Sequence, residues 1–461
     1  MQRLFAITWL TWKAALRFRL FLVIAVLLLA SVVGLPILIE DDGTARGFTQ
    51  ILLTYTLSVI AALLGLSTLW LACGTLARDI EECQMQVVAT KPIARWQIWL
   101  GKWLGIVSLN AALLAISGAS VFGLLQWRAT QLPPEEQRIL RNEVLVARGS
   151  AKPALLTEEI EEETERQLKE ILSKTTVTAG DLPLLRTQIK ERIKSAYQLA
   201  PPGTPRPWEI NLGAAKDSLR DRPLYVRVKF NTANYSSSGT YTALWRVGAP
   251  GTTRYWDSEP MSLAPDTFHE FEIPPNLFAD NGVLTVVFFN PNDTTLLFSL
   301  EEGMEVLYRE SGFGVNFIRG LGIILCWMAL LATLGLASAS FLSFPVAAFF
   351  SLGLLAMAFS TGTLSTAVSE GSLLGTDHET GRSVSTIADK VLLPVFRGAL
   401  EVIKLAKDFS PIDSLSTGRS ITWGQLAQAF GQIVLLLGGI IGAIGIVIFN
   451  RRELATAQGN Q

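Results

Sequence analysis

Five windows of this sequence contain no Asp, Glu, Lys, Arg or His: 20–39, 47–77, 103–127, 320–369 and 420–450. A helix needs about 20 apolar residues to cross a hydrocarbon core of about 30 Å, and each window is that long. The fourth would reach roughly 75 Å as a single helix at ~1.5 Å per residue. It divides at "SASFLSFPVAAFF", where Ser338, Ser340, Ser343 and Pro345 mark a break. Crossings are expected at 320–340 and 345–366, and the total is six transmembrane helices. Charged residues make up 17% of the 461 residues, against about 25% in soluble domains, and they lie between the windows. The fold class expected is an α-helical polytopic membrane protein.

Lys/Arg bias orients such a chain. Arg3, Lys13, Arg17 and Arg19 precede the first window without an acid. Arg78, Lys91, Arg95 and Lys102 lie between the second and third, and Arg451 and Arg452 follow the last. The short 40–46 loop carries Glu40, Asp41 and Asp42 against Arg46 alone. Both termini and the 78–102 loop are therefore expected in the cytoplasm of a cell (inner) membrane, with 128–319 and 367–419 outside. The first apolar run is 20 residues long and lacks a good cleavage site, so it reads as a retained helix rather than a signal peptide. Cys73, Cys83 and Cys326 lie within or on the cytoplasmic side of the membrane region. No disulfide framework or metal spacing follows from them. No basic patch points to nucleic acid.

Residues 1–19 form an amphipathic pattern, with Leu4, Ile7, Thr11, Ala14 and Phe18 on one side and Trp9 and Trp12 suited to the headgroup level. An interfacial elbow is expected, within a first region (1–127) that also holds three spans. Outside, 128–207 reads as a helical stalk, with "LTEEIEEETERQLKEILSK" and "PLLRTQIKERIKSAYQL" at helical spacing and "APPGTPRP" as a stiff linker. From 208 to 312 the texture changes to alternating runs such as "LYVRVKF" and "GVLTVVFFN", the pattern of an antiparallel β-sandwich. Trp208, Trp245 and Trp256 there read either as core or as a sugar platform. His269 reads as an exposed strand residue. Spans four and five (313–366), an amphipathic segment (367–419) and the last span with its tail (420–461) complete the chain.

The stretch "TKPIARWQIWLGKWLG" places a proline, three cations and three tryptophans at the entrance to a span. Residues 78–89 are helix-compatible, and Lys91-Pro92 stops them because the residue before proline is pushed out of the α region. Arg95 and Lys102 are expected at lipid phosphates, and Trp96, Trp99 and Trp103 as interfacial anchors. Read by its physics, this is either a short helix held beneath the bilayer or a plain positive-inside loop. Gly438, Gly442 and Gly445 in the last span permit close helix packing, between subunits or within one.

This stretch resembles the cytoplasmic segment of ABC-2 type transporter permeases, whose pattern is close to "REIExGTxxxLLsxPisRxxxLLGKxLG". The matching residues are Arg78, Ile80, Glu81, Pro92, Ile93, Arg95, Leu100, Gly101, Lys102, Leu104 and Gly105. The tail "IFNRRELA" and the approach "KDFSPIDSLSTGRSITW" are similar to the family's ending. Cys83-Gln84 stands where the family has Gly-Thr, and Asp79 replaces Glu. The resemblance covers the membrane scaffold and not 128–319. It implies a dimer of permeases, homo- or heteromeric, coupled through 78–95 to separate cytoplasmic ATPase subunits. Arg78, Asp79, Glu81, Glu82, Gln84, Lys91, Pro92 and Arg95 would form that contact, with Glu81 and Glu82 pairing with basic groups.

No G-x-x-x-x-G-K-[ST] loop is present, so no cofactor is expected in this chain, and ATP and Mg would belong to the partner. The windows hold no ionisable group for ion coupling, which disfavours a secondary transporter. His269 and His378 lack neighbours for catalysis, which disfavours an enzyme. The alternative is a non-transporting membrane protein that transmits force or signals, or assembles envelope components, through its outer domain.

Overall fold

The computed structural model describes residues 2–17, 19–38, 45–82, 93–140, 144–154, 156–174, 182–232, 239–360, 362, 365, 394, 396–398, 400, 401, 403 and 409–452. Its principal helices are α1 (Gln2–Arg17), α2 (Arg19–Leu38), α3 (Ala45–Glu81), α4 (Arg95–Ala129), α5 (Thr157–Lys174), α6 (Leu182–Gln198), α7 (Phe313–Ala339), α8 (Phe344–Phe359) and α9 (Trp423–Arg451). The chain divides into two units, Met1–Val146 with Gly312–Gln461, and Ala147–Ser311.

In the first unit α3, α4, α7 and α9 are long and apolar enough to cross a membrane. The described parts of α1 and α2 meet at 77°, and this pair makes a fifth span if taken as one. The six expected crossings are thus four or five among the described residues. The shortfall is at α8, whose 16 residues reach about 24 Å at ~1.5 Å each, short of a ~30 Å core. The expected crossing ran on to 366, and of residues 361–366 only Gly362 and Ser365, both helical, are among the described residues. The break within the fourth window falls where the sequence placed it, between Ala339 and Phe344, with Pro345 in the first turn of α8.

α3 buries a stripe of Leu52, Leu53, Leu57, Ile60 and Leu64 against Leu28 and Val32 of α2, Leu114 and Val121 of α4, and Ile324 and Met328 of α7. Further along, large side chains give way to small ones, and Ala72, Ala77, Ala332, Leu336 and Ala339 share a second cluster. A Cβ on Gly335 would stand 2.6 Å from Cβ of Ala72, so α3 and α7 approach nearly backbone to backbone there. Most of the 367–419 amphipathic segment lies outside the described residues.

The second unit holds its strands in sheets ordered β1-β12-β4-β9 and β3-β10-β6-β7, with β8 on β6, and a small sheet β2-β11-β5. Here β1 is Val146–Ala151, β2 Leu199–Ala200, β3 Pro205–Asn211, β4 Leu224–Val228, β5 Asn231–Thr232 and β6 Tyr241–Gly248; β7 is Tyr255–Asp257, β8 Met261–Leu263, β9 His269–Ile273, β10 Val283–Phe289, β11 Leu296–Leu297 and β12 Met304–Gly312. Pairs β10–β3, β10–β6, β12–β4 and β4–β9 are antiparallel. Alternation puts Leu224, Val226 and Val228 of one sheet and Trp245, Val247, Leu284, Val286 and Phe288 of the other into one core. Trp245 is 1% exposed, Trp208 lies 6.3 Å from it, and Trp256 stacks on Phe271. Trp245 lies in the core, and Trp208 and Trp256 are half-buried against it. His269 is half-buried, its Nε2 2.7 Å from Ala264 O and 2.9 Å from Thr267 Oγ1; it fastens the turn before β9.

The expected linker is instead half sheet. β2 takes up Ala200 and β3 takes up Pro205–Pro207 of "APPGTPRP", with a turn at 201–204 between them, and β1 also precedes the expected start of the β region. β3 is an edge strand, where Pro205 and Pro207 are tolerated because a strand with one neighbour need not offer every N–H. The two helices expected before it are present within a residue or two of their sequence limits. They form an antiparallel hairpin with Ile160, Leu168, Ile189 and Ile193 in its seam. Lys190 bonds Glu161 at 2.6 Å, and Arg186 pairs with Glu161 and Glu165.

Candidate functional site

The site sits in the first unit, at the end where α3, α7 and α9 finish and α4 and α8 begin. Nothing between Ala77 and Glu82 breaks a helix, and Arg78–Glu81 form the last turn of α3. The short helix expected to start at Arg78 is, in its described part, the tip of that long one. α4 begins at Arg95, capped by Ala94 with Gln97. Gln84, Lys91 and Pro92 lie outside the described residues.

A helix leaves N–H groups unpaired at its start and C=O groups at its end, and its dipole favours cations at the latter. The charged residues here serve these ends. Lys102 Nζ donates to Asp79 Oδ2 at 2.5 Å and to Thr75 O at 2.8 Å, tying α4 to the last turns of α3. Arg95 Nη1 donates to the carbonyls of Phe449 (3.2 Å), Asn450 (3.0 Å) and Arg452 (2.7 Å), closing the end of α9. Arg452 in turn donates to Ala339 O and Ser340 O at the end of α7. At the start of α8, Glu81 Oε1 accepts from Phe344 N at 2.9 Å, while Arg78 lies 4.6 Å over the Phe344 ring. Lys102 and Arg95 were expected at lipid phosphates and Glu81 at a partner protein. Lys102 is 8% exposed, and all three side chains bond within the chain.

The tryptophans divide in the same way. Trp9 and Trp96 are exposed. Trp12 Nε1 donates to Ser108 Oγ at 2.9 Å, and Trp103 Nε1 donates to Thr333 Oγ1 at 2.8 Å and Ala329 O at 3.1 Å. Trp99 is 3% exposed and lies against α9, where a Cβ on Gly442 would come within 3.2 Å of its ring. A Cβ on Gly445 would stand 2.9 Å from Ala337. These two glycines therefore pack within the subunit. Gly438 meets only Ile433 O and Thr333 Oγ1, at 3.3 and 3.7 Å.

The glycines of "GKWLG" seat α1. A Cβ at Gly101 would stand 2.8 Å from Ile7 Cβ, and one at Gly105 2.6 Å from Thr11 Cβ. Thr8 Oγ1 donates to Gly101 O at 3.2 Å. Of the side of α1 expected to be apolar, Ile7 and Thr11 are buried and Leu4 is half-buried, whereas Ala14 is exposed and its neighbour Ala15 is buried instead.

Sequence reasoning missed Asn316 and Arg319 at the far end of α7. Asn316 donates to Arg419 O at 2.8 Å and accepts from Ile421 N at 2.7 Å. Arg319 Nη1 donates to Ile421 O at 2.9 Å, and its guanidinium lies 4.7 Å over Trp423. The signal was a cation in the second turn of a helix, opposed by the dipole and abutting a charge-free window. Among the described residues no group of three His, Cys, Asp or Glu side chains is placed to hold a metal. No family model, curated protein or solved structure matches the chain.

Proposed function

We propose that this chain is the membrane permease of an ATP-driven exporter of the ABC-2 type, pairing with a second permease and with cytoplasmic ATPase subunits that bear on 78–95. One observation carries the reading. The segment 83–92 leaves α3 and returns at α4, and the two helix ends are locked by the Asp79–Lys102 pair and tied to α8 and α9 through Glu81 and Arg95. A load on a segment mounted this way moves several helices together. Asp79, Glu81, Arg95 and Lys102 then hold the mount, and Glu82, Gln84 and Lys91 offer the contact.

Helix direction supports six crossings. α3 and α7 run parallel (Gly65 meets Leu331, Ala72 meets Gly335), α4 runs against both, α8 runs against α7, and α9 runs with it. With α2 entering from α1, consecutive segments alternate, which puts both termini on one side. Lys/Arg bias makes that side the cytoplasm, with 128–319 outside. The cargo path, the outer unit's part in cargo transfer and the lipid surface under Trp9 and Trp96 belong to the same proposal.

The test is a pull-down of the detergent-solubilised chain from its native membrane, comparing wild type with Glu82→Arg/Gln84→Arg. The expected result is an ATPase that co-purifies with wild type and is released by the variant. If wild type brings down no ATPase under gentle conditions, the exporter reading loses its energy source. The outer β unit, as an assembly or force-transmitting device, then becomes the reading to pursue.

A further inference from the structure

The last span is not one regular helix. Its α-helical parts Trp423–Ala429 and Gly439–Arg451 flank a π-helical stretch, Phe430–Gly438. A π stretch bonds i to i+5 and so carries one residue more than α-helix needs. Such stretches are rare and are frequent at functional sites.

Both flanks are held. At the start, Arg319 lies over Trp423, Thr422 and Gln425 form a capping box, and Leu426 packs into the space left by Gly322, 3.0 Å from where a Cβ would stand. At the finish, Arg95 binds the carbonyls of residues 449, 450 and 452, Gly442 and Gly445 lie on Trp99 and Ala337, and Phe449 is fully buried. Between these clamps Leu435 and Leu436 are exposed, while Ile433, Val434, Leu437 and Gly438 on the other side are buried. A helix fixed at both ends yields only in its interior. Arg95 stands three residues beyond Pro92, at the first position of α4.

We propose that Phe430–Gly438 is the yielding joint of the last span, and that Arg95 is the positioning residue through which a displacement of 83–92 reaches it. The first half stands on the helix alone. The second half rests on the coupling role proposed above.

Removing one residue from an i-to-i+5 stretch restores i-to-i+4 bonding and leaves both clamps facing their neighbours. Removing one from a plain α-helix turns everything beyond it by about 100°. The full chain in lipid nanodiscs, lacking Leu435, is therefore expected to melt within about 4 °C of wild type. The chain lacking Ile116, a residue equally open to the surroundings in uninterrupted α4, is expected to lose its folded state. If the two deletions are equally damaging, the stretch holds no spare residue and the joint is overturned.

Spin labels at 428 and 447 then read the distance across the stretch. Two populations in wild type, collapsing to one without Leu435, support the joint, and equal widths overturn it. Neither measurement involves an ATPase, so failure of the exporter reading leaves them standing. With the ATPase bound, Arg95→Gln is expected to preserve binding and abolish the ATP-dependent change in that distance. Loss of binding would place Arg95 in the docking contact instead, and an unchanged response would remove it from the linkage.

Discussion

In the β unit, space is filled by bulk: Trp208, Trp245, Phe288 and Phe298 pack with ring centroids between 4.8 and 6.3 Å apart. In the helix junction, space is closed by omission: Gly101, Gly105, Gly335 and Gly445 each leave out a side chain that a neighbour's atoms occupy. Charge differs too. The junction uses single cations on carbonyls at helix ends, whereas the β unit sets Arg227 beside both Glu270 and Glu305 on adjacent strands, and Arg148 pairs with Glu270 at 2.5 Å. A strand alternates its faces and can bury every second residue, so bulk serves it. Helices that must come within reach of each other's backbone gain more from having nothing in the way.

The contrast predicts opposite sensitivities. The largest effect is expected from subtraction in the β unit: Trp245→Ala should destabilise it by about 3–5 kcal/mol, read as early proteolytic cutting within 147–311 of the full chain. Next is Lys102→Met, which strands Asp79. Breaking a buried pair costs about 3–5 kcal/mol, but Asp79 is 31% exposed, and about 2 kcal/mol remains after screening. Thermal unfolding in nanodiscs measures it, and Lys102→Met/Asp79→Leu should recover most of the loss. A double variant no better than the single would show that the carbonyl of Thr75, rather than the charge pair, needs the lysine.

Addition in the junction comes third. Gly105→Leu should cost about 1–3 kcal/mol by overpacking and release α1, which a thiol probe on a cysteine at Thr11 would detect. A silent Gly105→Leu would break the contrast outright. The smallest effect is in the α5–α6 hairpin. The Lys190 hydrogen bond, with Arg186 beside it, holds the Glu161 carboxyl below its ordinary range. Its stabilisation is therefore present above about pH 4.3, the unfolded value, and fades as pH falls through the lower folded one. Hydrogen-exchange protection over 157–198 should drop slightly below about pH 4. High salt should mimic the drop, because the pair is exposed.

The sequence made four of the spans legible because absence of charge over 20 residues needs no tertiary information. The same holds for α5 and α6, whose charges repeat at one turn, and for the break before Pro345. The destination of Lys102 was illegible. Whether a cation at a span entrance turns to lipid or to a neighbouring helix depends on the rotation of α4 about its axis, set by contacts such as Gly101 with Ile7. The same rotation buries Trp99 and exposes Trp96. "APPGTPRP" misled for a related reason, since proline marks a loop locally but an edge strand when a sheet is there to receive it. The π stretch carries no local signal, because what fixes it is the spacing of two distant clamps.

The seat of α1 on Gly101 and Gly105 has a consequence for biogenesis. Thr8 and the carbonyl it bonds are 93 residues apart, so during synthesis α1 emerges roughly 5–20 s before its seat, at ~5–20 residues per second. Through that interval Ile7, Thr11 and Ala15 have no helix to cover them. On the proposed reading, the exposed Phe5, Trp9 and Leu10 with Lys13 let α1 wait on a lipid surface, one face on the bilayer until α4 arrives to take the other.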